Sequence, residues 1–73
     1  MPAIIVNSLE LTQDQKRVMA REFAALFSRQ TGVPEDRIYI FFQGYPLEDA
    51  AKGGDLFSDH PPQGIRGKFN EDS

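Results

Sequence analysis

Ile38-Tyr39-Ile40-Phe41-Phe42-Gln43 is the stretch whose reading decides the fold. It is rich in β-branched and aromatic side chains and has no Gly or Pro, so it reads as a strand. Strand side chains alternate between faces, which puts Ile38, Ile40 and Phe42 on one side and Tyr39, Phe41 and Gln43 on the other. The first set suits a face covered by a helix. The second leaves aromatic rings on the opposite face, where they call for a pocket or a partner.

Upstream, Thr12-Gln13-Asp14-Gln15 has the Thr-x-x-Gln spacing of a capping box, with an acidic residue in the first turn. A helix is predicted from there. Met19, Ala20, Phe23, Leu26 and Phe27 recur at helical spacing and form its core stripe, with Lys16, Arg17, Arg21, Glu22 and Arg29 mostly outside it. Gly32 before Val33-Pro34 supplies the stop, near Thr31. Residues 3–8 read as another strand, with Ile4 and Val6 on one face and Ala3 and Ile5 on the other, so both faces want burial. Two strands separated by one helix make a β-α-β unit with parallel pairing, an α/β (α+β) protomer.

Downstream the signal weakens. Residues 46–51 suit one helical turn, Lys52-Gly53-Gly54-Asp55 a turn, and Pro61-Pro62-Gln63-Gly64 an extended loop. Residues 65–69 read as a short strand that would pair with another subunit, so that the protomer would add a short C-terminal strand or hairpin to its two parallel strands and helix, and residues 70–73 read as a mobile, solvated tail. The whole of 1–73 is read as one domain, with 57–73 its variable C-terminal segment.

A chain of 73 residues is short for a self-sufficient core, and with no Cys and a single His it has neither disulfides nor a metal cluster to reinforce it. Oligomerisation remains, and the outward face of each strand is where it would act. A net charge of -3 argues against nucleic acid or an anionic membrane as partner. No apolar run is long enough to span a membrane and no signal peptide is evident, so a cytoplasmic protein is expected. Phosphate cradles, nucleophile elbows and metal motifs are missing, and no cofactor is expected.

Pro2 reads from the strand alone either as an ordinary strand-edge residue, where proline is tolerated, or as a candidate base. Removal of Met1 would leave a proline secondary amine at the start of an apolar strand. An amine held among apolar side chains loses affinity for protons and becomes a general base nearer neutral pH.

Met1-Pro2 running into an apolar strand, Thr12-Gln13-Asp14-Gln15-Lys16, Arg21-Glu22, Ser28-Arg29, Val33-Pro34 and Gly53-Gly54-Asp55-Leu56 together resemble the tautomerase superfamily, of the small 4-oxalocrotonate tautomerase type. Residues 37–42 are also similar to the matching strand of the macrophage migration inhibitory factor and cis-3-chloroacrylic acid dehalogenase branches. The resemblance implies protomers paired as dimers and commonly assembled as a trimer of dimers, a hexamer. It also implies a proline amine that moves a proton between carbon and oxygen ends of a conjugated carbonyl system. Such work needs a donor or cation where negative charge develops, and an apolar wall.

This chain departs from that pattern at two places. Leu11 and Tyr39 stand where the 4-oxalocrotonate enzymes carry arginines, which argues against a dicarboxylate substrate. Tyr39 becomes the candidate hydrogen-bond donor to the developing oxyanion, Arg37 the leading cation for a substrate carboxylate, Phe41 a pocket wall, and Lys52 a further cation able to close over a neighbour's pocket. Arg66 and Lys68 are cations of the same kind, and His60 is read as loop. The expected function is an isomerase acting on a small monocarboxylic or aromatic 2-oxo acid or its enol. The rival readings are a non-catalytic oligomeric binding module, and a hydratase or dehalogenase acting on a 3-haloacrylate through Glu48 or Asp49.

Overall fold

The computed structural model describes residues 1–70. In chain order it contains β1 (Ala3–Leu9), α1 (Gln13–Thr31), a 3-10 turn (Glu35–Arg37), β2 (Tyr39–Tyr45), a 3-10 turn (Leu47–Asp49), β3 (Ala51–Lys52), β4 (Asp55–Leu56) and a last 3-10 turn (Lys68–Asn70). β1 and β2 pair in parallel, in a register that runs from Ala3 opposite Tyr39 to Leu9 opposite Tyr45. The β-α-β protomer read from the sequence is therefore the architecture observed.

Both ends of α1 follow from local chemistry. The backbone N–H of Gln15 donates to Thr12 Oγ1 at 3.1 Å, and that of Thr12 donates to Gln15 Oε1 at 2.9 Å. This reciprocal pair satisfies donors that the first turn would otherwise leave without partners. At the other end Gly32 adopts φ 79°, a left-handed conformation that costs a residue without Cβ least, and its N–H donates to the Ser28 carbonyl at 2.8 Å.

The face of the sheet toward α1 carries Ile4, Val6, Ile40 and Phe42, all half-buried. Ile38, at 9% exposure, is the one large apolar side chain that counts as buried among the described residues. Leu26, expected in the core, stays 50% exposed. With Ile4, Val6, Phe23 and Phe27 it lines an open apolar crevice of about 190 Å³. Two strands about 5 Å apart are too narrow to cover the flank of a helix about 10 Å across. The opposite face is barer: Ile5 is 65%, Tyr39 46% and Phe41 51% exposed.

Beyond β2 the chain turns once at Leu47–Asp49, and β3 and β4 then form a small antiparallel hairpin in which Lys52 opposes Asp55. Gly53, at φ 63°, makes its tight turn possible. Residues 65–69 do not form the predicted strand. Gly67 separates the two apolar residues Ile65 and Phe69 and has no side chain to pack, which weakens any strand there. The segment folds back instead, and the Lys68 N–H donates to the Glu10 carbonyl at 3.1 Å. Of the tail expected to be mobile, 70–73, Asn70 is instead the last residue of the final 3-10 turn, and 71–73 lie outside the described residues.

Candidate active site

Parallel pairing brings the first residues of both strands to one edge of the sheet. There the Tyr39 N–H donates to the Pro2 carbonyl at 3.0 Å, so the residue preceding β1 is fixed to the first residue of β2. Pro2 is half-buried and Met1 is 82% exposed. With Met1 attached the Pro2 nitrogen is an amide and has no basicity. Hydrolysis of that peptide bond would uncover a secondary amine at the same place.

Arg37 ends the 3-10 turn that leads into this edge, and its N–H donates to the Pro34 carbonyl at 3.0 Å. Its side chain is exposed and forms no ion pair among the described residues. Ile38, buried between Arg37 and Tyr39, donates its N–H to the Glu35 carbonyl at 3.1 Å and anchors the turn. Pro2, Arg37 and Tyr39 thus share one end of the molecule, with a cation free to meet an anion and a phenol free to donate.

Tyr39 stands opposite Ala3 on the exposed face, and Phe41 opposite Ile5 one step along it. Pro2 continues the half-buried alternation of Ile4 and Val6, whereas Tyr39 belongs to the open side. What joins them within one chain is backbone. The wall formed by Ile5, Tyr39 and Phe41 is apolar and solvent-facing, so it excludes water only when something covers it.

None of the remaining predicted cations is brought to this edge: Arg66 and Lys68 lie by Gln15 and Glu10, past the far end of β1. Lys52 lies in the separate β3–β4 sheet, exposed and opposite Asp55. It follows β2, whose seven residues carry the chain about 20 Å from the Pro2 edge. Leu11 likewise sits beyond the far end of β1. Glu48 and Asp49 are exposed in the turn after β2, at that far end as well. His60 is held by Asp55, its Nδ1 lying 3.0 Å from Oδ1 and 2.9 Å from Oδ2, on the exposed hairpin. Among the described residues no group of three or more His, Asp or Glu is placed to hold a metal ion. Asn7, given no role by the sequence reading, faces the open side, where its Oδ1 accepts from the Tyr45 hydroxyl at 3.5 Å.

The family model for tautomerase enzymes matches residues 2–60, opening on Pro2 itself. The chain belongs to the tautomerase family. It is 37% identical to a probable tautomerase of Bacillus cereus over 60 residues, which cover 81% of this chain and 98% of that protein. A probable tautomerase of Bacillus anthracis matches to the same extent. Among solved structures, a homologue of 4-oxalocrotonate tautomerase superposes with a TM-score of 0.76 at 30% identity, covering 81% of this chain and 95% of that one. Another such homologue gives 0.72 at 29%, covering 80% and 97%. A structure concerned with trans-3-chloroacrylic acid dehalogenase activity, at 21% identity and a TM-score of 0.64, shares the tautomerase fold. No helix among the described residues is long and apolar enough to cross a membrane.

Proposed function

We propose that this tautomerase-family protein interconverts the keto and enol forms of a small 2-oxo acid, with the Pro2 amine, uncovered by loss of Met1, as general base. The observation that carries the reading is the position of Pro2: half-buried, tied to Tyr39 by a 3.0 Å backbone hydrogen bond, and at the sheet edge where Arg37 also emerges. The amine takes a proton from the carbon beside the carbonyl, or from the enol oxygen, and returns it at the other end of the conjugated system. Partial enclosure disfavours the ammonium form and so favours the free base. Arg37 holds the substrate carboxylate, and a Tyr39 phenol donates to the oxygen on which charge builds up. Phe41 with Ile5 supplies the apolar wall once another protomer covers it, and Lys52, remote within its own chain, reaches a neighbour's edge. Self-association, as dimers or a trimer of dimers, completes the site.

The test is ketonisation of a phenylpyruvate-type enol by protein whose intact mass shows loss of Met1. Pro2→Ala and chemical blocking of the terminal amine should each remove most of the rate, since a positioned general base contributes about 10²- to 10⁴-fold. Unchanged rates in both would refute the role of Pro2.

A second reading, a binding module of the same fold without turnover, draws on Leu11 and Tyr39, which stand where the resembled enzymes carry arginines. Saturable turnover above the buffer rate eliminates it. Hydration or dehalogenation has less support, because Lys52 stands near the place where the resembled dehalogenases carry their glutamate and Glu48 and Asp49 come a few residues too early. Halide release from a 3-haloacrylate would revive it.

A further inference from the structure

Residues past 60 lie outside the tautomerase family match, and the 60 residues shared with the Bacillus cereus relative already cover 98% of that protein. Part of this added segment is nonetheless built into the fold. The Lys68 N–H donates to the Glu10 carbonyl at 3.1 Å, and Lys68 Nζ lies 3.8 Å from Glu10 Oε2. The backbone of Gly67 comes so close that a Cβ there would sit 2.7 Å from the Glu10 oxygen and 3.1 Å from the Phe69 ring. Gly67 and Ile38 are the residues that are buried among those described.

Gln15 links this segment to the helix. Its side-chain amide has an acceptor end and a donor end. The acceptor Oε1 takes the Thr12 N–H at 2.9 Å and closes the capping box; the donor Nε2 gives its hydrogen bond to the Arg66 carbonyl at 2.9 Å. The two bonds demand the same orientation of the amide, so each holds the group in place for the other. The sequence reading, which took Gln15 as a cap alone, sees only the first of these roles.

We infer that residues 66–68 form an intramolecular clasp over the β1–α1 corner, with Gln15 as its latch and Gly67 as its hinge-side contact. The clasp joins the carbonyl of Glu10, at the end of β1, to the capping turn of α1, across 51 residues of sequence between Gln15 and Arg66. Its effect is to couple the fraying of the helix start to release of the C-terminal segment, so the two open together rather than separately.

Amide hydrogen exchange on the full chain tests this. The Lys68 amide should be protected relative to an unfolded peptide. Gln15→Glu separates the two roles of residue 15. A glutamate still accepts from Thr12 and keeps the capping box, but it cannot donate to the Arg66 carbonyl. Protection at Lys68 should fall by about five- to tenfold, the worth of one net hydrogen bond, and protection at Thr12 should fall with it although its acceptor is kept. Gly67→Ala should remove protection at Lys68 more fully, because its Cβ has no room, and should loosen the Thr12 and Gln15 amides with it. An unprotected Lys68 amide in the parent, protection at Lys68 unchanged in both variants, or a Thr12 amide that keeps its protection where Lys68 has lost it, overturns the clasp.

Discussion

Phe41→Ala probes whether the exposed sheet face is an interface, and the structure sets the size of the effect. Burying a Phe side chain fully is worth about 1.5–3 kcal/mol. Phe41 is 51% exposed, so roughly half of that remains to be gained when another subunit covers it. At a two-fold interface each substitution counts twice, which returns a loss of about 1.5–3 kcal/mol per interface, or roughly 10- to 150-fold in dissociation constant. The fold of the single protomer should survive, since the side chain lies on the face away from α1. Sedimentation velocity over a dilution series is the assay, with far-UV circular dichroism at high concentration to confirm retained secondary structure. The same change at Gln43, a polar neighbour on that face, should have a much smaller effect. If the Phe41→Ala and parent dissociation curves superimpose, the face is not where subunits meet, and the joint-site proposal falls with it.

Because the chain has so little buried apolar surface, folding and association should be linked, and Tm should rise with protein concentration; a Tm constant over a hundredfold range of concentration would contradict this. Thr12→Ala removes the acceptor for the Gln15 N–H and should cost about 1 kcal/mol by denaturant titration, whereas Thr12→Ser should retain most of the stability. Gly32→Ala forces a Cβ into a φ of 79° and should cost about 1–2 kcal/mol, with unaltered stability arguing against the left-handed cap. His60→Ala should shift stability by less than about 0.5 kcal/mol at any pH, because its pairing with Asp55 is exposed on both sides.

Elements whose causes are local were legible in the chain. The capping box at Thr12 and Gln15 and the stop at Gly32 involve neighbours within four residues, so both ends of α1 could be read, the second as near Thr31. The alternation in 38–43 set both faces of β2, and one helix between two strands implied their parallel pairing. That pairing implied that both strands start at one edge, while the register that sets Tyr39 beside Pro2 is seen only in the structure. Residues 65–69 were read wrongly because their conformation depends on Glu10, more than fifty residues away, and nothing in the segment itself announces that contact.

The order of strand, helix and strand and the caps of α1 came from the chain's own pattern, because hydrogen bonds to near neighbours and alternation of side chains depend on position along the backbone alone; the choice of Pro2 as base came with the resemblance to the tautomerase superfamily. Which cations stand near Pro2 was a tertiary matter: Arg37 shares its edge, while Lys52 lies beyond the far end of β2. So was the second bond of Gln15. Contacts between remote segments depend on where the chain turns back in space, and side-chain chemistry written in a line carries no measure of that distance.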